Sequence, residues 1–459
     1  MDLVASRQSS ASVLAVRGRL DAAGADALEA ALSPELTQAG TDGVARLVLD
    51  FAAVDYISSA GLRVLMLGAR QARVAGVALS IAGMQPLVSE IFRISRFDTF
   101  ILVHASVADA LASQDVAGVA KAAPVAASSA ARGAADASPR QGIRVRFWGT
   151  RGSLPTSMSL AALRNKLAAA LVAGDGRGLD TLGKAHAFVE TLPFDVGGTH
   201  GGNSPCVELL SGDERIVLLD MGSGARLAGA DALRRLAGRP GEFHVFMSHL
   251  HWDHIMGFPF FTPAYIPGQR IHIHGCHAQL EQAFRRQQAE PSFPVDLSRM
   301  GADIVFDQLE PDRDYDIAGY RVRATLQLHG GDSYGYRFTR DGKTVVYSTD
   351  AEHKPEQVDD ARRFVALFRD ADLVVFDAMY SLADSVSIRE DWGHSSNVAG
   401  VELCQKAAAR RLVLFHHEPV NDDAAITRLL DEARRLEQLT RTGAPLDIVA
   451  AYDGLELDA

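Results

Sequence analysis

Ser248-His249-Leu250-His251-Trp252-Asp253-His254 places three histidines and a carboxylate within six consecutive positions. Imidazole and carboxylate are the ligands that suit zinc, iron and manganese. The preceding run, Glu242-Phe243-His244-Val245-Phe246-Met247, reads as a buried strand, so the histidines fall where a strand gives way to a loop. Three further runs repeat the pattern. Tyr320 to His329, Thr344 to Asp350 and Arg411 to His416 are strand-like, and each ends on another histidine or aspartate. A sheet would bring these distant groups together along one edge. The competing readings are a solvated polar loop for the first cluster and a solvated turn residue for Asp350. Ligand spacing that continues downstream favours a metal site.

The ordered set His249-x-His251-x-Asp253-His254, His329, Asp350 and His416 resembles the metallo-β-lactamase fold, and within it the ribonuclease Z-like and phosphodiesterase-like hydrolases. The resemblance covers residues 143–459. It is supported by Phe147-Trp148-Gly149-Thr150-Arg151-Gly152-Ser153, Gly201-Gly202-Asn203-Ser204-Pro205-Cys206, Leu218-Leu219-Asp220-Met221-Gly222-Ser223-Gly224 and Trp392-Gly393-His394-Ser395-Ser396. It implies an αββα sandwich holding two divalent metal ions, zinc first, with manganese or iron as alternatives. His249, His251 and His329 would hold one ion, Asp253, His254 and His416 the other, and Asp350 would bridge them. Two cations about 3.5–4 Å apart can clamp a phosphoryl group and provide a nucleophile at neutral pH. A bridging carboxylate favours a dinuclear hydrolase over the hydrolytic β-lactamases. His251 stands where the di-iron flavoprotein branch carries glutamate.

The resemblance also assigns catalytic roles to Asp253 and His394. His394 would bind phosphate and protonate the leaving oxygen, as an imidazole titrating near neutrality can. A helix-like run, Val398 to Ala409, follows it, so the alternative is a capping or packing segment. Asp220 would orient a ligand histidine through its free ring nitrogen, or else is a strand-terminal turn residue. His417 is expected to support the ligands from behind or to be structural. Arg151, His200 and Asn203, in glycine-rich loops, are candidate substrate contacts. His272, His274 and His277 read as strand and loop residues.

Residues 1–112 differ in character. Strand-like Val13 to Asp21, Ala45 to Phe51, Val77 to Ala82 and Phe100 to Val103 alternate with helix-like Ala23 to Leu32, a second helix opening at Ser59, and Leu87 to Phe92. This alternation predicts a small α/β domain. Its central phrase, Leu49 to Leu62, resembles the STAS domain of anti-sigma factor antagonists, and aligning Gly61-Leu62 puts the family's phosphorylated serine at Ser59, with Ser58 where an aspartate commonly precedes it. The resemblance implies a serine kinase, an anti-sigma factor and a phosphatase as partners. At a helix start, Ser59 is equally a cap or its neighbour; a phosphate there would add about −1.5 to −2 charges. Residues 113–142, rich in alanine and serine with Pro124 and Pro139, read as a tether. Residues 157–189 read as a helical insertion for which ordinary packing is expected, with a lid or dimer contact as alternatives.

At 459 residues, 47% hydrophobic and 22% charged, the chain is globular and exceeds one usual domain. A net charge of −11 argues against a basic nucleic-acid surface and for a small phosphodiester over long RNA. Cys206, Cys276 and Cys404 are odd in number and widely spaced, which argues against a disulfide scaffold. With no signal peptide and no apolar run able to span a bilayer, a cytoplasmic protein without membrane contact, able to self-associate, is expected. The leading expectation is a metal-dependent phosphodiesterase, acting on cyclic nucleotides, under a regulatory STAS module. A thioester, lactone or RNA-end hydrolase is the second, and a signalling adaptor with a structural or sensing metal site the third.

Overall fold

The computed structural model describes residues 1–8, 11–41, 44–113, 142–210, 212, 215–354, 358–386, 389 and 392–459. Except at its two ends, the span read as a tether lies outside the described residues.

The N-terminal residues form β1 (Asp2–Gln8), β2 (Ala11–Leu20), β3 (Arg46–Ile57), β4 (Ala78–Ala82) and β5 (Leu102–His104) in that spatial order, with β1 antiparallel to β2 and the rest parallel. Parallel neighbours need crossovers, and helices supply them. These are α1 (Ala22–Thr41), α2 (Ser59–Ala75) and α3 (Pro86–Ile94), with α4 (Val107–Ala112) closing the chain segment. α2 starts because the Ser58 hydroxyl accepts the Gly61 N–H at 3.4 Å, and it stops at Gly76, which takes the left-handed conformation (φ 70°) that a side chain disfavours. Leu62, Leu65 and Met66 recur at helical spacing and are buried. The sheet thus has α1, α2 and α3 over one face and α4 over a small patch, Val13, Val48 and Ala82, on the other. This is the α/β STAS arrangement expected from the phrase around Gly61.

The rest of the chain builds two seven-stranded sheets. In chain order the strands are β6 (Arg144–Gly149), β7 (Cys206–Leu210), β8 (Ile216–Leu219), β9 (Glu242–Phe246), β10 (Arg270–Gly275), β11 (Asp303–Gln308), β12 (Asp314–Ile317), β13 (Tyr320–Gln327), β14 (Ser333–Arg340), β15 (Lys343–Ser348), β16 (Leu373–Asp377), β17 (Arg411–Phe415), β18 (Asp447–Ala450) and β19 (Glu456–Asp458). One sheet runs β11-β10-β9-β8-β7-β6-β19, the other β12 through β18 in sequence. Their inner faces share a core that includes Phe147, Phe246, Tyr336, Phe338, Tyr347 and Phe415. The helices of this part are α5 (Leu160–Ala173), α6 (Leu182–Glu190), α7 (Phe194–Gly197), α8 (Ala225–Leu236), α9 (Trp252–Ile255), α10 (Leu280–Gln287), α11 (Val358–Phe368), α12 (Leu382–Ser385), α13 (Asn397–Lys406) and α14 (Asp423–Thr440). Outside the first sheet lie α8 and α10, on Phe243, Ile271 and Ile273; outside the second lie α11, α13 and α14. The result is the αββα metallo-β-lactamase sandwich. Among the described residues no helix is long and apolar enough to cross a membrane.

Two features were not expected. The insertion forms helices Leu160–Ala173 and Leu182–Glu190, and neither buries a residue, leaving Leu163, Leu167 and Leu171 on the surface. The first helix is nevertheless docked, its Lys166 ammonium ion-paired with Asp423 (2.7 Å) and donating to the Asp195 and Gly198 carbonyls. In addition, the apolar cluster beneath α2 and α3 runs without a break into that of α11, α13 and α14, so the N-terminal sheet and the sandwich share one core.

Candidate metal centre

Every sandwich strand that feeds the site does so at its C-terminal end. Asp220 follows β8, Ser248 and His249 follow β9, His329 follows β13, Asp350 follows β15, and His416 follows β17. Asp220, Asp350 and His416 turn off their strands with φ of 59°, 49° and 60°. Backbone in this region costs energy for a residue with a side chain, and it concentrates at functional sites. Asp253 and His254 come from the one-turn helix Trp252–Ile255 at the sheet rim.

The seven side chains meet as two groups around one carboxylate. In the first, His329 Nε2 lies 3.1 Å from His251 Nδ1, while Asp350 Oδ1 lies 3.8 Å from His249 Nε2 and 3.9 Å from His329 Nε2. In the second, His254 Nε2 lies 3.3 Å from His416 Nε2 and 3.2 Å from Asp253 Oδ2, and Asp350 Oδ2 lies 3.1 and 3.2 Å from the two imidazoles. Ring nitrogens facing one another at this distance, with carboxylate oxygens between them, form a donor set for a divalent cation.

Hydrogen bonds behind the rings decide which nitrogens face the cluster. Ser248 Oγ donates to Asp220 (2.7 Å), so it can only accept from His249 Nδ1 (3.1 Å), which leaves His249 Nε2 a bare lone pair. That atom is buried and has no hydrogen-bond partner. His254 Nδ1 donates to Asp220 Oδ2 (2.8 Å) and His329 Nδ1 to the Gly393 carbonyl (2.8 Å), again freeing Nε2. An orphaned buried nitrogen costs free energy unless something binds it, and these residues fit a metal. Burial and the neighbouring His254 hold the His249 pKa well below the ordinary imidazole value. Burial would push the Asp350 carboxyl up, but His416, His254 and His249 outweigh it and hold it well below the usual range, so both oxygens stay ionised acceptors.

Asp220 carries four hydrogen bonds: from Ser248 N–H (2.8 Å), Ser248 Oγ (2.7 Å), His254 Nδ1 (2.8 Å) and Tyr347 OH (2.8 Å). Asp220→Asn would replace an acceptor with a donor facing His254. Metal affinity is expected to fall about 10–100-fold, measured by competition with a chromogenic chelator; unchanged affinity would reduce Asp220 to a turn residue.

His394 stands beside the second group, its ring stacked on His416 at 5.1 Å. Its Nδ1 donates to Asp377 Oδ2 at 2.8 Å. Burial pulls its pKa down, but Asp377 outweighs that and lifts it to about 9. His394 lines a cleft of about 300 Å³ with Ser153, Tyr380, Arg389, Trp392 and Glu418. Two glycines keep the rings in place. A Cβ on Gly393, which has φ 83°, would lie 2.4 Å from His329 Nδ1, and one on Gly152 would lie 2.5 Å from His416 Nδ1. The Ser153 N–H donates to Asp253 Oδ2 at 2.9 Å.

Four expected residues do not face this cluster. Arg151 spends its guanidinium on the carbonyls of Gly201, Glu418 and Asn421. His200 gives Nδ1 to the Ala451 carbonyl (3.0 Å) and is buried, which lowers its pKa to about 4. Asn203 is held by Asp453 and Ser223. All three bridge neighbouring loops through these bonds. His417 turns away from the ligands, with Nε2 on the Ala451 carbonyl (2.9 Å) and its ring against His200. Sequence reasoning missed Asp377, Tyr347 and the cleft residues Tyr380 and Arg389. Asp377 ends β16 as Asp350 follows β15, so the strand-end signal pointed to it as well.

Residues 215–417 match the model of the beta-lactamase superfamily domain, and residues 3–104 that of the STAS domain. The sandwich is similar to ribonuclease Z of Haloarcula marismortui, 25% identical over 263 residues, covering 46% of this chain and 79% of that protein. The N-terminal part is similar to the putative anti-sigma factor antagonist BtrV of Bordetella bronchiseptica, 40% identical over 85 residues, covering 18% of this chain and 70% of that protein. Among solved structures, the metallo-beta-lactamase fold protein YhfI of Bacillus subtilis is similar at 16% identity over 69% of this chain and 100% of that one, with a TM-score of 0.45.

Proposed function

Because this chain belongs through residues 3–104 to the STAS anti-sigma factor antagonists and carries a beta-lactamase superfamily domain at 215–417, we propose that it is a metal-dependent phosphodiester hydrolase with a signalling module on the same chain. The observation that carries this reading is Asp350, whose two oxygens are divided between two histidine-rich groups. His249, His251 and His329 would hold one divalent cation, zinc first, and Asp253, His254 and His416 the other. Such cations, when bound, offset charge on phosphoryl oxygens and lower the pKa of water.

The chain's own residues do the rest. Asp377 fixes the His394 ring and keeps it protonated near neutral pH, so its other nitrogen has a proton to give to an oxygen leaving phosphorus. Arg389, ion-paired with Glu418, places guanidinium N–H donors at the cleft wall, and Trp392 provides an exposed aromatic face beside it. A cleft of about 300 Å³ suits a small diester, cyclic nucleotides included, and the net charge of −11 disfavours a long polyanion. The STAS module would answer to an anti-sigma factor or serine kinase, with Ser59 the modified residue and a phosphatase reversing it.

The test is a panel of a chromogenic diester, cyclic mononucleotides, cyclic dinucleotides and short RNA, with metal quantified on the same sample. Turnover that is lost on chelation and in His251→Ala supports the proposal. A metal-loaded sample that turns over no diester, but cleaves a thioester or lactone, overturns it.

A further inference from the structure

The start of α2 is covered by the sandwich. Glu402, in the middle of α13, accepts the Ser59 N–H on Oε1 at 2.9 Å and the Ser59 Oγ–H on Oε2 at 2.6 Å. Ser59 is 2% exposed and Glu402 7%. A carboxylate at this place is favoured by the positive end of the α2 dipole. Three contacts flank the pair. Arg96 Nη2 donates to Glu432 (2.9 Å), Arg435 Nε to Glu90 (2.6 Å), and Arg70 Nη2 to the Val386 carbonyl (3.3 Å).

The Ser59–Glu402 pair and the Arg70–Val386 contact fall on the same part of the chain as the cleft residues. Tyr380, Arg389, Trp392 and His394 line the cleft, and α13 begins three residues after His394. The link from His394 to α13 is short and stiff. Ser395 Oγ donates to the Ala351 carbonyl (2.5 Å), the Ser396 hydroxyl caps α13 by accepting the Ala399 N–H (3.2 Å), and Asn397 Nδ2 donates to the Leu429 carbonyl (2.9 Å). α13 is buried along its length from Asn397 to Cys404, between its sheet and the N-terminal domain.

We propose that the N-terminal domain is a positioning module for the hydrolase cleft, and that Ser59 and Glu402 are the positioning pair that clamps α13 and so the segment presenting His394. This rests on the hydrolase reading above and adds its control. A negative group on Ser59 would face the Glu402 carboxylate in a buried contact. Like charges so close and out of water repel strongly, and the clamp opens. Because Ser59 is 2% exposed while the clamp is closed, a kinase would act on the open form, and the phosphate would keep the clamp from closing again.

The experiment uses the full chain as Ser59→Asp, Ser59→Thr and Ser59→Asp with Glu402→Lys. Hydrogen exchange of residues 59–75 and 393–406 is read beside metal content and the kcat and KM for bis(p-nitrophenyl) phosphate. Ser59→Asp is expected to expose both segments and lower kcat on the order of tenfold, with metal content kept. Threonine keeps the hydroxyl and preserves wild-type behaviour, and the lysine restores protection by reversing the charge. Wild-type exchange in Ser59→Asp overturns the proposal, and so does a loss of protection that Glu402→Lys fails to reverse, which marks misfolding. Exchange needs no substrate. A clamp that opens in a chain without diesterase activity therefore sinks the hydrolase reading alone, and an active chain whose clamp never opens sinks the clamp alone.

Discussion

Asp350→Ala is expected to lose metal from both halves of the site and to lower diester hydrolysis on the order of 10³-fold or more, since bound cations contribute several kcal/mol of charge stabilisation and each 1.36 kcal/mol is tenfold. Its two oxygens are divided between the groups: Oδ1 faces His249 and His329, Oδ2 faces His254 and His416. The side chain is buried, and the histidines around it hold it ionised. Removing it leaves five imidazoles with Asp253 as the remaining carboxylate among the seven grouped side chains. Asp350→Asn keeps the volume and discards the charge and one acceptor, so it should fail like alanine. Elemental analysis of the purified variants, beside their rates, checks both points. An asparagine variant that retains full metal and full rate would mean that Asp350 does not bridge.

The site was legible because its chemistry is written at strand ends. A strand-like run with buried apolar residues that leads into histidine or aspartate is a local signal, and β9, β13, β15 and β17 all carry it. β16 carries it too, in Leu373–Asp377, but Asp377 has no adjoining histidine to draw attention to it. The misleading residues share a different property. Arg151, His200 and Asn203 sit in glycine-rich loops that do approach the site, and whether such a polar group faces substrate or a neighbouring carbonyl depends on partners 50 to 270 residues away. His417 follows a ligand directly, yet neighbours at a strand end point in opposite directions. Glu402 gave no signal at all. A lone glutamate in Asn397–Lys406 reads as the solvated side of a helix, and only the fold reveals that a serine 343 residues earlier covers it.

His394→Ala separates the chemistry from the metal site that adjoins it. General acid catalysis contributes about 10²–10⁴-fold, and a loss of that size in kcat is expected on a diester whose leaving group is an alkoxide, such as a ribose oxygen. The same variant should lose much less on a p-nitrophenyl diester, because nitrophenolate departs without needing a proton. Metal content should hold, since His249, His251, His254, His329, Asp350 and His416 are untouched and the His394 ring nitrogen nearest the cluster is committed to Asp377. Asp377→Asn provides the companion result. The ring stays but loses the carboxylate that fixes its tautomer and lifts its pKa to about 9, so this variant should show the same leaving-group dependence at a smaller size. Equal losses on both substrates would indicate that His394 binds phosphate rather than protonating the leaving oxygen. A loss that tracks missing metal would make it a ligand. The leaving-group ratio decides between these roles because only a proton donor distinguishes an alkoxide from a phenolate.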